Sequence, residues 1–234
     1  MIPAHPPAGG PWRLIRSIQH ALVYHARVKR ALARTDSVRM FGVRLEVPPG
    51  VFHPKVFRTT RVIGRHILSL DLRGRSVLDM GCGSGVLALL AARGGARVTA
   101  VDINPAAAGA TRANAAANNL GVSVHVSDLF SSLPRGDGFD WIIWNPPFYP
   151  AEAADMATRA WYAGSGYSVL GTFAGTAGAH LRPGGRLIVQ LSTEIDQDRV
   201  LGLFAAHGFT PALAARTRLP FETLSIYHFD HADP

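Results

Sequence analysis

Apolar residues along the chain gather in short runs that alternate with longer segments of helical spacing. Runs at Ser76–Leu78, Arg97–Val101, Val122–Val126, Trp141–Trp144 and Leu187–Leu191 read as strands, and Gly85–Arg93, Pro105–Asn118, Ser168–His180 and Gln197–Ala206 read as helices. Strand followed by a helix long enough for a crossover implies an α/β fold, with a mainly parallel sheet covered on both faces. The tail breaks that rhythm. Pro211–Thr217 and Glu222–Phe229 meet across Leu219-Pro220 with no helix between them, which predicts an antiparallel pair at the end of the sheet. Five alternating strands and this pair make seven.

Ahead of this region the pattern is different. Residues 1–11 are rich in Pro and Gly and read as irregular, and Trp12–Arg34 reads as a helix with Leu14, Ile15, Ile18, Leu22, Val28 and Leu32 as apolar positions among six basic residues. No acid precedes Asp36. The favoured reading is a helix docked on the main domain; a substrate or RNA arm and a targeting segment are the alternatives, the last disfavoured by the scarcity of serine. A β segment at Phe41–Val47 and the Pro48-Pro49-Gly50 turn then open the regular region. The chain therefore divides into an N-terminal extension, residues 1–40, and a catalytic-sized domain, residues 41–234.

Composition narrows the function classes. At 234 residues the chain can bury a core without disulfides or a structural metal. Cys82 is the single cysteine, which excludes a disulfide framework and a multi-cysteine zinc site and fits a reducing, cytoplasmic setting. No run approaches the ~18 consecutive apolar residues of a membrane span. The formal charge of +8 hints at an anionic partner. Only Lys29 and Lys55 are lysines, so the hint is discounted as an arginine-rich composition.

The strongest local signal is Asp79-Met80-Gly81-Cys82-Gly83-Ser84-Gly85, where an apolar strand runs through glycines into a helix. Gly81, Gly83 and Gly85 let a ligand approach the backbone, and the helix that follows offers free N–H groups. Asp79 stands just before them. A carboxylate there would repel a pyrophosphate and attract a cationic amino group, so the turn suits an amino-acid-bearing cofactor better than a dinucleotide. Asp102, 17 residues beyond the last glycine, ends the next strand, where a carboxylate can accept from ribose hydroxyls. Asp128 ends the third strand and is placed for an adenine amine. The competing reading of each acid is a helix cap.

Strand four breaks at Asn145-Pro146-Pro147-Phe148. Adjacent prolines restrict the backbone and leave carbonyls without neighbouring N–H donors. An N–H₂ group could donate to the Asn145 side-chain oxygen and the Pro146 carbonyl, with Phe148 offering an apolar face to a planar amide or base.

In this ordered set the chain resembles the class I S-adenosylmethionine-dependent methyltransferases, in their amino-methylating branch. The resemblance implies a Rossmann-like, doubly wound, seven-stranded sheet whose last strand is antiparallel. It also implies that Asp79, Gly81, Gly83 and Gly85 flank the methionine part of S-adenosylmethionine, Asp102 the ribose and Asp128 the adenine, while Asn145, Pro146 and Phe148 hold the target nitrogen. Within that branch the chain is most similar to the HemK-like enzymes, which methylate a glutamine amide in release factors. His53–Thr60 resembles their Pro-containing, Thr-ending segment and so places Thr60 in the cofactor site; Ala163-Gly164-Ser165-Gly166-Tyr167 resembles their Gly-rich stretch. Phe148 stands where that group usually has Tyr, and the Phe form is frequent among ribosomal-RNA guanine and tRNA adenine methyltransferases. A protein glutamine amide is thus the first expected acceptor, an RNA nucleobase amine the second, and a non-catalytic binding module the third reading.

Overall fold

The computed structural model describes residues 33–133, 138–220 and 222–232. But for its last two residues, the helix expected over Trp12–Arg34 lies outside them. A hairpin, β1 (Asp36–Met40) and β2 (Val43–Val47), leads to helix α1 (Arg58–Leu68). The α/β region follows as β3 (Ser76–Met80), α2 (Val86–Arg93), β4 (Arg97–Asp102), α3 (Pro105–Ala117), β5 (Val122–Val126), β6 (Phe139–Trp144), α4 (Ser168–Ala177), β7 (Leu181–Ser192), α5 (Gln197–Ala205), β8 (Phe209–Arg218) and β9 (Thr223–His231).

Seven strands form one sheet in the order β5-β4-β3-β6-β7-β9-β8. The first five are parallel, while β9 runs antiparallel to both neighbours and is inserted between β7 and β8. The strand pair expected at the tail is present. Side-chain alternation splits the interior in two, as the pleat requires. Val77, Ile143, Ile188 and Ile226 join the core that contains the buried sides of the hairpin, α1, α2 and α3, whereas Leu78, Ile142, Leu187 and Phe229 join the core under α4 and α5.

The segment Phe41–Val47, read as one β stretch, is the second half of the hairpin. Phe41 (φ 50°) and Gly42 (φ 82°) form its two-residue turn, both in the left-handed region that such turns require. Phe41 tolerates that conformation because it is anchored. Its carbonyl accepts from Arg93 at 2.5 Å, and its ring lies over Gly64 of α1, where a Cβ would approach to 2.7 Å. Val38 and Met40 of β1 are buried in the first core, so the boundary expected at residue 41 falls inside this turn.

One edge of β2 is closed by side chains instead of a strand. Asn114 of α3 accepts from the Glu46 N–H at 2.8 Å and donates to the Glu46 carbonyl at 2.9 Å; one turn on, Asn118 does the same for Arg44. Asn114 also donates to the Ser84 carbonyl at 2.9 Å, which ties the hairpin to the glycine turn. An edge that would otherwise template association is thereby satisfied. Asn114→Ala leaves the buried Ser84 carbonyl and the partly buried Glu46 backbone without partners and is expected to cost roughly 2–3 kcal/mol, more than Asn118→Ala on the exposed turn. Urea midpoints at constant slope measure this, and equal or negligible losses would contradict it.

Candidate active site

All the strand tips singled out in the sequence lie along the carboxyl edge of the sheet, in the spatial order Asp128, Asp102, Asp79, Asn145. This follows from parallel pairing, which sets β5, β4, β3 and β6 side by side with the same polarity. Thr60 is buried in the first turn of α1. Among the described residues no hydrogen bond joins it to the others.

The glycine turn is held from beneath. Cys82 donates to the Val101 carbonyl at 2.9 Å, and Thr111 of α3 donates to the Gly83 carbonyl at 3.0 Å. The three glycines do different things. Gly85 is buried, sits at φ 90° as the cap of α2, and a Cβ there would meet Leu89 and Thr111 at 3.0 Å, so it is needed for packing. Gly81 is exposed and Gly83 half-buried. A Cβ would come no closer than 3.7 Å to Trp144 at Gly81 and 4.0 Å to Phe52 at Gly83. Packing does not demand glycine at either position, so a ligand can approach their backbone.

The acids combine the two readings weighed for them. Asp79 is buried and accepts from the Ala88 N–H at 2.9 Å, capping the first turn of α2 from the neighbouring strand. Burial pushes its carboxyl up to about 7; the Ala88 N–H opposes that rise and the charge of Asp102 adds to it. Asp102 accepts from the Gly83 N–H at 2.8 Å and the Asn104 N–H at 2.9 Å, so it shapes the turn while keeping unused lone pairs. Its carboxyl is also raised by burial, against those two bonds. Asp128 is exposed beyond β5.

Beyond β6, Pro146 is buried and Asn145 and Phe148 are half-buried, the Phe148 ring packing on the second core. Tyr149 donates its N–H to the Trp161 carbonyl at 2.8 Å and accepts from the Ala163 N–H at 2.7 Å, folding the following loop back on itself. Phe52 and Phe57 stack at 4.2 Å, and Trp161 packs on both. Since Phe52 also borders Gly83, the loops on either side of the cleft meet in this cluster.

Residues that the sequence reading did not single out complete the site. Gln190 of β7, fully buried, donates to the Asn145 side-chain oxygen at 3.0 Å, and its own carbonyl oxygen has no partner. It was legible as the lone polar residue in the run Leu187–Leu191. Two residues on, Ser192 donates to Glu222 at 2.8 Å, and the Tyr149 hydroxyl donates to Glu194 at 3.1 Å. Burial raises the Glu222 carboxyl; its bond from Ser192 opposes this, the charge of Glu194 adds to it and that of Arg58 opposes it. Two carboxylates are therefore tied to segments next to Asn145: Glu194 to Tyr149 of the loop that follows it, and Glu222 to Ser192, two residues along β7 from Gln190. Pairing across distant segments, absent from any local motif, brings them there.

The methyltransferase small domain model matches residues 42–210. A ribosomal RNA small subunit methyltransferase C of Chromohalobacter salexigens is 33% identical over 184 residues, 76% of this chain and 51% of that protein. A candidate protein N5-glutamine methyltransferase of Methanocaldococcus jannaschii is 28% identical over 195 residues, 81% of this chain and 96% of that protein. Among solved structures, the 16S rRNA N2 G1207 methyltransferase of T. thermophilus, in complex with AdoMet and guanosine, superposes with a TM-score of 0.61 at 26% identity, over 83% of this chain and 50% of that one. The chain thus spans about half the length of the ribosomal RNA methyltransferases and nearly all of the archaeal relative.

The position of Asp79 has a pH signature. A carboxyl whose folded pKa lies above its unfolded value binds its proton more tightly when folded, so its contribution is fully present below about pH 4 and is lost as pH rises through about 7. Urea midpoints of the ligand-free protein should show this decline, and Asp79→Asn, neutral throughout, should flatten it. Parallel curves for the two proteins would contradict the assignment.

Proposed function

From the premise that the chain belongs to the methyltransferase small domain family and is an S-adenosylmethionine-dependent methyltransferase, we propose that its acceptor is the exocyclic amine of a guanine-type base in RNA. S-adenosylmethionine, when bound, supplies a methyl group on a sulfonium. Its amino-acid part suits the turn at Gly81 and Gly83 beside Asp79, and its ribose and adenine suit Asp102 and Asp128.

The chain's own residues handle the acceptor. The Asn145 side-chain oxygen and the Pro146 carbonyl accept from the two hydrogens of a planar amine. Gln190 uses one lone pair of the Asn145 oxygen and leaves the other for the target. These acceptors favour the positive charge that grows on nitrogen, and orientation can supply ~7–11 kcal/mol of the barrier reduction. Phe148 offers its face to the ring.

The observation that carries the choice of base is the pair of carboxylates held by neighbours of Asn145 and Gln190, with Glu194 accepting from Tyr149 and Glu222 from Ser192. In guanine the exocyclic amine adjoins a ring N–H, from which a carboxylate can accept while the two amine hydrogens go to Asn145 and Pro146. An adenine amine adjoins a ring acceptor and a glutamine amide adjoins its own carbonyl; both would be repelled by acids. A second reading, the protein glutamine amide, is favoured by the match across almost all of the archaeal relative.

Labelled S-adenosylmethionine incubated with the protein and separate RNA and protein fractions of a cell extract tests the proposal. After digestion, label is expected in N2-methylguanosine. Label in glutamine or in N6-methyladenosine would overturn the guanine reading. On the labelled acceptor, Asn145→Ala should lower turnover at least a hundredfold with cofactor affinity changed little. Gln190→Met should lower it roughly tenfold, the order of one hydrogen bond, yet add nothing in the Asn145→Ala background. Losses that multiply would mean that Gln190 acts independently of Asn145.

A further inference from the structure

We infer that the outward face of α1 docks the phosphate backbone of the RNA that carries the target base, an inference that rests on the guanine reading. The helix buries Thr59, Thr60, Ile63, Gly64 and Ile67 and turns Arg58, Arg61 and Arg65 outward, with Lys55 exposed just before its start. Positions i, i+3 and i+7 share one stripe, and at 1.5 Å per residue the Cα atoms that carry these side chains are about 4.5 and 6 Å apart along the axis. No acid occurs in the helix. Among the described residues, none of these four cations is held in an ion pair. A face of like charges repels itself, and an external polyanion relieves that repulsion.

Location gives the face its role. Arg58 lies close enough to Glu222 for its charge to act on that carboxyl, and Glu222 accepts from Ser192, two residues beyond the Gln190 that holds Asn145. The helix therefore starts at the mouth where the acceptor enters. At its other end His66 hydrogen-bonds His228 at 2.8 Å, and His228 is paired in β9 with Ile188 of β7. The basic stripe thus runs from the mouth back over the sheet. A strand leaving the cleft meets Arg58, then Arg61, then Arg65.

The test uses the full chain and a fluorescein-labelled, mixed-sequence single-stranded RNA of twenty nucleotides, with anisotropy read across a range of KCl concentrations. Each phosphate contact contributes about 0.7 to the slope of log affinity against log salt. Arg61→Gln/Arg65→Gln should therefore reduce the slope by about 1.4 with cofactor affinity unchanged. Arg73→Gln/Arg97→Gln makes the same charge change at the amino edge of the sheet and should leave the slope near that of the parent. An unchanged slope in the first variant, an equal drop in the second, or competition by polyglutamate as strong as by unlabelled RNA would overturn the docking face. If N2-methylguanosine forms while the slope stays unchanged, only the docking face fails. If the slope falls as expected but no methylguanosine forms, the guanine reading fails and the RNA surface stands.

Discussion

The site depends on a set of backbone N–H groups held at fixed positions along the carboxyl edge of the sheet. Asp79 holds the first turn of α2, Asp102 holds Gly83 and the start of α3, and Asn114 holds the glycine turn to the hairpin. Each partner is wholly or partly removed from water, where such bonds are stronger and their loss costs more. Asp79 illustrates the cost. Burying an acid next to a second acid raises its carboxyl to about 7, and the arrangement becomes most favourable once a cation lies nearby. In the proposed function, the ammonium of the cofactor's amino-acid part would supply one.

The same logic organises the acceptor half. Asn145 can serve a target amine only if its amide is held in one orientation, and Gln190 from the adjacent strand supplies that hold. Acceptors predominate on this side: the Asn145 oxygen, the Pro146 carbonyl, and Glu194 and Glu222 on the segments of Tyr149 and Ser192. The cleft is thus rich in acceptors while the helix beside its mouth is rich in cations. That division matches a substrate whose reactive edge donates hydrogen bonds and whose backbone is anionic.

Much of this was legible in the sequence because it is local. The strand runs, the glycine turn, the acids at strand tips and the Asn145-Pro146-Pro147-Phe148 break each depend on neighbours within a few residues, and the sheet places them in register with one another. What was not legible depends on contacts between distant segments. The Phe41-Gly42 turn lacks the usual Asn-Gly signal and is tolerated only because Arg93 and Gly64 anchor Phe41. The Asn114 and Asn118 ladder needs α3 laid against β2, separated from it by some seventy residues. The insertion of β9 between β7 and β8 cannot be read from spacing, which predicts only that the final pair is antiparallel.

The central claim is that donor and acceptor meet above Gly81 and Gly83, between Asp102 and Asn145. A crystal structure of the protein grown with S-adenosylhomocysteine tests it most directly. The account predicts that the ribose hydroxyls contact Asp102 and that the sulfur faces Asn145. Density for the ligand on another face of the molecule, or with its ribose away from Asp102, would contradict it.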